Sequence, residues 1–253
     1  MTVEVVDAAE AIAGIASGST VAIGGFGLCG TPDALVQALA EGDSDDLHVV
    51  VNNSGPRTSR VTELLKTGRV TRVTASYIGN NRDFLDRYLS GAITVELTPQ
   101  GTLAERLRAG GAGIPAFYTP TGVGTQVGDG GIPTRYGADG QPAEYSLPKK
   151  HTEFRGRQYL LEHAIVADVA LIRAETADAH GNLRFRSSAR NFNPLCAMAS
   201  TITIAEVQRL TDQPLDPDDV HLPGTFVDQL VPLHGLMHKS LEIHGITRPA
   251  ITT

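Results

Sequence analysis

Four glycines, Gly24, Gly25, Gly27 and Gly30, stand between the apolar triplet Val21–Ile23 and the helix-starting pair Thr31-Pro32. Glycine admits positive φ and close approach to the backbone, so such a turn can present several N–H groups to an anion beside a helix N-terminus. A plain tight turn would use the same residues. The spacing G-G-F-G-x-x-G departs from the dinucleotide fingerprint, and Asn52 and Asn53 stand about 20 positions on, where that fingerprint places an acidic residue. Paired amides either stabilise developing negative charge or fold back onto the backbone as turn residues. Gln100, at the end of a strand-like run, poses the same choice.

Other reactive side chains carry weaker signals. Cys29 lies inside the glycine run near a helix start, which could lower its pKa, but no histidine adjoins it in sequence, and a small buried filler is expected. Cys196 is expected in the core. His234 and His238 are four apart and could ligate zinc with His244, yet the glutamate of an H-E-x-x-H site is missing, so surface histidines and no metal are expected. Arg184, Arg186 and Arg190 could meet phosphates or a partner; a solvated edge is the expectation.

The full string Val21–Pro32 resembles the glycine signature of family I CoA-transferases: an apolar triplet, G-G-F, three residues, G, any residue, P. The resemblance continues through Asn52-Asn53-Ser54-Gly55, Leu97–Arg106, Gly113–Pro120, Gly122–Thr125, His180–Leu183 and Asn191-Phe192-Asn193-Pro194, as in the A subunits of 3-oxoacid CoA-transferases. Ser17 departs from the Asp or Asn preferred before the glycine turn, while Gly18 still supplies the bend.

That resemblance implies covalent ping-pong catalysis, in which a glutamate attacks an acyl-CoA thioester and carries CoA as a glutamyl thioester. In two-chain members the nucleophile resembles a Ser-Glu-Asn-Gly element on the B subunit, and no glutamate here is followed by Asn-Gly. The implied share of this chain is to complete the pocket. Gln100, Asn52 and Asn53 would be supporting amides, one of the two asparagines being structural, and Gly24, Gly25, Phe26, Gly27, Leu28, Cys29 and Gly30 the CoA-binding segment. CoA or acyl-CoA enters as substrate, with no permanently bound cofactor. A B-subunit partner is implied, in a heterodimer or an α2β2 heterotetramer. Acetoacetate is the favoured acceptor. A 3-oxoadipate, acetate or butyrate enzyme remains open, as, more distantly, does a sugar-phosphate isomerase or ligand-sensing domain on a related scaffold.

Composition sets the frame around these residues. The chain has 253 residues, 41% hydrophobic and 19% charged, the profile of a globular protein, and one domain over 1–253 is expected. A net charge of −7, with basic residues clustered no further than pairs such as Lys149-Lys150, argues against nucleic acid. No apolar run approaches membrane-spanning length, and Met1–Glu10 lacks signal-peptide character. Two unpatterned cysteines fit a reducing cytoplasm.

The elements that must position the site read as alternating strands and helices, hence an open α/β fold with a mostly parallel sheet flanked by helices. Helical spacing covers 8–15, 32–39, 59–66 and 82–89; strands are expected at 20–23, 48–52, 70–76, 94–97 and 116–118. Thr31 is the expected cap of the second helix, with Pro32 at its first position. Thr102 and Glu105 form a capping-box pattern for another. Residues 119–148, rich in Gly and Pro, are expected to be a long binding or docking loop. Strands at 157–162, 166–173 and 201–205 and a helix at 194–200 complete the pattern, and the C-terminal end is expected to fray.

Overall fold

The computed structural model describes residues 3–79 and 81–233. Strand β1 (Glu4–Val5) leads into α1 (Ala8–Ala13), whose first turn is capped by Asp7. The crossover pattern then runs β2 (Thr20–Ile23), α2 (Asp33–Glu41), β3 (Leu47–Asn53), α3 (Arg60–Lys66), β4 (Val70–Tyr77), α4 (Arg82–Leu89), β5 (Thr94–Leu97) and α5 (Gln100–Gly111). Apolar, β-branched runs make β2 to β4 interior strands of a parallel sheet, with β5 at its edge. Ser59 and Asn81 cap α3 and α4 by accepting the N–H groups of Thr62 and Phe84.

The chain next leaves the sheet. Strand β6 (Ala116–Thr119) is followed by the four-residue helix α6 (Gln126–Asp129) and the strands β7 (Pro133–Tyr136) and β8 (Pro142–Tyr145), which pair as a hairpin. Residues 119–148 are therefore less irregular than their composition suggests. Both hairpin strands are short and largely open to solvent, so they carry no alternation of apolar and polar residues to read. Strands β9 (His151–Phe154) and β10 (Arg157–His163) join β6 in a three-stranded antiparallel sheet.

The chain re-enters the main sheet with β11 (Ala167–Asp178), β12 (Leu183–Arg184), α7 (Asn193–Met198), β13 (Ser200–Thr211) and β14 (Gln229–Pro232). The order is β1-β14-β13-β11-β2-β3-β4-β5, with β12 added antiparallel to β11; all other pairings are parallel. One face of this nine-stranded sheet packs Val21, Val49, Val73 and Leu171 against Leu35, Leu39, Leu64 and Phe84 of α2, α3 and α4. The other packs Ala22, Val50 and Ile172 against Leu103, Leu107 and Cys196 of α5 and α7. Each such leucine removed from water is worth about 2 kcal/mol.

Two helix starts differ from expectation. Pro32, not Thr31, is the cap position of α2, and it makes no side-chain cap bond. Glu206 of β13 supplies the cap instead, accepting the N–H groups of Ala34 at 2.8 Å and Leu35 at 3.1 Å. Helix α5 begins three residues earlier than the capping-box pattern implies, because Pro99 fixes its entry. Glu105 consequently sits further along the helix and pairs with Arg108 at 2.7 Å.

Candidate active site

The carboxyl ends of β2, β3 and β4 and the N-terminus of α5 converge on one cleft of about 330 Å³, lined by Phe26, Gly27, Asn52, Asn53, Ser54, Gly55, Pro56, Ser76, Tyr77 and Gln100. Crevices beyond the carboxyl ends of parallel strands are where open α/β sheets bind ligands. The glycine bend, both asparagines and Gln100 are thus brought together.

Asn52 and Asn53 differ in their hydrogen-bond partners. Asn53 Oδ1 accepts the Gly55 N–H at 2.9 Å, an Asx turn that carries the chain out of β3, and its Nδ2 donates to Asn52 Oδ1 at 2.7 Å. Asn52 is buried, and its Nδ2 reaches Ser76 Oγ at 3.3 Å, while that hydroxyl donates to the Asn52 carbonyl at 2.7 Å. Asn53 shapes the turn, whereas Asn52 is held in fixed orientation on the cleft wall.

Gln100 occupies the first position of α5, is exposed, and makes no side-chain hydrogen bond among the described residues. The base of that helix is anchored below it. Arg106 donates to Glu96 Oε1 at 2.6 Å, Thr98 Oγ1 at 3.2 Å and the His163 carbonyl at 2.8 Å. Thr74 donates to Glu96 Oε2 at 3.1 Å, which leaves its oxygen to accept from His48 Nε2 at 2.9 Å. Burial, reinforced by Arg72, pushes His48 down to about 4. Burial pushes the Glu96 carboxyl up, but Arg106 and Thr74 outweigh it, so the group lies below its ordinary range.

The glycine bend is a tight reversal. Phe26 and Cys29 exchange N–H to carbonyl bonds at 3.0 and 2.9 Å, and Gly27 and Leu28 form the tip with N–H groups that find no acceptor among the described residues. Gly25, Gly27 and Gly30 have positive φ. Phe26 and Leu28 are apolar yet 47% and 40% exposed, and Phe26 lines the cleft. Cys29 is exposed rather than a buried filler, because the reversal turns it outward, and its Sγ lies 3.3 Å from Ser188 Oγ. Cys196 is buried in the core, and burial pushes its thiol up to about 12.

Behind the bend lie residues that the local sequence signals did not mark. Asn191 Nδ2 donates to the Cys29 carbonyl at 2.9 Å, and Asn193 Nδ2 to the Gly30 carbonyl at 3.0 Å. Glu206, fully buried, adds Arg173 Nη1 at 3.3 Å to the two α2 N–H groups. Burial pushes this carboxyl up to about 7, against Arg173 and those N–H groups. The Asn191–Pro194 string entered only through the resemblance; nothing local in sequence marks Glu206.

Of the three arginines left outside the site, Arg184 pairs with Asp219 at 2.9 Å and Arg186 with Glu175 at 3.9 Å. His234, His238, His244 and the expected frayed C-terminus lie outside the described residues.

A parallel sheet with helices on both faces and a glycine bend at its carboxyl edge is the architecture of a coenzyme A transferase, and the model of that family matches residues 5–232. The chain belongs to the coenzyme A transferase family, as an enzyme chain of the A type. It is 54% identical over 228 residues to the A subunit of the probable succinyl-CoA:3-ketoacid coenzyme A transferase of Mycobacterium bovis, covering 90% of this chain and 92% of that one. It is 49% identical over 227 residues to the mitochondrial succinyl-CoA:3-ketoacid coenzyme A transferase 2A of Mus musculus, covering 89% of this chain and 44% of that longer protein. An acyl-CoA transferase of Escherichia coli O157:H7, solved as a thioester complex with CoA, superposes with a TM-score of 0.77 at 25% identity. That match covers 91% of this chain and 47% of the other, so this chain spans about half of it. No helix among the described residues is long and apolar enough to cross a membrane.

Proposed function

We propose that this chain is the A half of a two-chain transferase moving CoA from succinyl-CoA to a 3-oxo acid, with acetoacetate ahead of 3-oxoadipate as acceptor. A B chain supplies the glutamate, and the pair works in the cytoplasm as a heterodimer or α2β2 heterotetramer. The observation that carries this reading is the cleft itself: Gln100, Asn52 and the Gly27 tip share one opening whose lining offers neutral amides, hydroxyls and backbone groups but, among the described residues, no carboxylate.

The chemistry follows from that inventory. The partner's carboxylate attacks the thioester carbonyl, expelling the CoA thiolate and leaving a mixed anhydride. The thiolate then attacks the glutamyl carbonyl, releasing succinate and forming the glutamyl-CoA thioester. Repetition with the acceptor acid in the reverse sense yields acyl-CoA and regenerates the carboxylate. Each attack places charge on a carbonyl oxygen, and neutral donors stabilise it without ion-pairing the nucleophile. Gln100 Nε2 and the Gly27 and Leu28 N–H groups are such donors with no competing acceptor among the described residues. Asn52, oriented by Ser76, lines the wall beside them.

Purification of the chain alone and with its B chain, followed by assay of CoA transfer to a panel of acids, tests the reading. Transfer by the pair and none by the isolated chain is expected. Borohydride reduction of the pair with acyl-CoA should modify the B chain; modification of a glutamate on this chain would refute the assignment.

A further inference from the structure

Asn193 is the first residue of α7 and is fully buried, yet its carboxamide has partners on three sides. Its Oδ1 accepts the Arg173 N–H at 3.0 Å, and its Nδ2 donates to the carbonyls of Gly30 at 3.0 Å and Ala189 at 2.8 Å. Both amide hydrogens are therefore used, and one side chain joins β11, the 187–190 turn and the glycine bend. An aspartate of the same shape would turn a second acceptor toward two carbonyl oxygens in a dry site, which is unfavourable.

The glycines of the bend are fitted to this amide. A Cβ on Gly24 would fall 1.9 Å from Asn193 Oδ1, and one on Gly30 would fall 2.9 Å from Asn193 Nδ2 and 2.8 Å from the Ala189 carbonyl. Gly27, at the tip, has nothing within 4 Å of such a Cβ and lines the cleft. Two glycines thus serve packing behind the bend, while the third leaves room in front of it. Asn191 holds the neighbouring Cys29 carbonyl, so consecutive carbonyls of the bend are both tied back. Asn193 itself does not line the cleft.

We infer that Asn193 is a positioning residue, fixing the rear of the glycine bend so that the Gly27 and Leu28 N–H groups are held toward bound acyl-CoA. The inference rests on the transferase reading given above. It assigns the two ends of the bend different tasks, a clamped rear and a ligand-facing tip.

The test combines two measurements on Asn193→Asp, with Asn191→Ala as a milder variant should the first not fold. In the full chain, amide hydrogen exchange at Phe26 and Cys29 should quicken by at least about tenfold once two buried bonds are lost. In the assembled pair, kcat and kcat/KM for succinyl-CoA should both fall about tenfold or more while KM stays within about threefold, the mark of donors lost from the transition state. Asn191→Ala, which removes one bond to the bend, should move both quantities in the same direction and less. Unchanged exchange in the bend overturns the inference. Faster exchange with wild-type kinetics overturns it as well, reducing Asn193 to a structural clamp. A wild-type pair that transfers no CoA would refute the transferase reading instead, and the exchange measurement would still decide whether Asn193 holds the bend.

Discussion

Gly24 and Asn193 compete for one space: a methyl group on Gly24 would overlap the Asn193 carboxamide oxygen, 1.9 Å from where its carbon must lie. The two residues are far apart in sequence, and the fold places one on the last turn out of β2 and the other at the start of α7.

Gly24→Ala should therefore destabilise the chain by about 1–3 kcal/mol through overpacking. Removing the obstructing oxygen and Cγ by Asn193→Ala should suppress much of that cost, giving a coupling of at least about 1 kcal/mol in a double-mutant cycle. Urea denaturation of the four proteins measures it. Additive effects would show that the alanine is accommodated elsewhere.

Gln100→Ala should lower CoA transfer by the pair about 100-fold if its amide meets the developing oxyanion. Because the side chain is exposed and makes no hydrogen bond among the described residues, the melting temperature should not move. Gln100→Glu should be more damaging still, since it sets a negative charge beside the attacking carboxylate. Full activity in either variant would remove Gln100 from the mechanism.

Glu206 and His48 should pull the pH dependence of stability in opposite directions. Glu206 is raised from 4.5 to about 7 by burial, so the folded state binds its proton more tightly than the unfolded one. Its contribution is present in full below 4.5 and is lost as pH rises through about 7, by an amount on the order of 3 kcal/mol. His48 is lowered from 6.5 to about 4, chiefly by burial and Arg72, so its contribution is present above 6.5 and is lost as pH falls through about 4. Comparing wild type with Glu206→Gln and with His48→Gln across this interval separates them. A Glu206 slope of opposite sign would mean that Arg173 and the start of α2 hold the carboxylate ionised.

Cys29 should react with maleimide in the folded chain while Cys196 does not, given the exposure of one and the complete burial of the other. Saturating acyl-CoA should slow that labelling, since Cys29 lies within the reversal whose tip faces the cleft. Equal labelling with and without acyl-CoA would separate the bend from the ligand.

The first half of the fold is legible in sequence because its signals are local. Strands β2 to β5 are short apolar runs, and α2 to α4 show helical periodicity within single segments. The two helix starts that differ have causes that no local pattern carries. Glu206, which caps α2, lies on a strand of the other half of the chain, so Thr31 is the only cap that the neighbouring residues offer. Residues 126–145 fold into a short helix and a hairpin whose stability comes from neighbours such as Tyr88, which packs edge-on against Tyr136 at 5.0 Å. The far ends of β11 and β13 escape a pattern reading because Glu175 and Arg209 interrupt their apolar character. In the site, the glycine string and its amides are recognisable as a resemblance, while the different hydrogen bonding of Asn52 and Asn53 depends on Ser76 of the next strand.

Strand β2 has β3 on one side and β11 on the other, and the bend that follows β2 is closed from behind by residues 191 and 193. During synthesis from the N-terminus, β2 to β5 can associate early, but the bend must wait for more than 160 further residues before Asn193 arrives. A nascent chain stalled before α7 would hold most of its parallel strands and still lack the ties that close the glycine bend. On the proposed role of the bend, binding competence is a late event in folding, and a truncated product would have little capacity to compete for acyl-CoA.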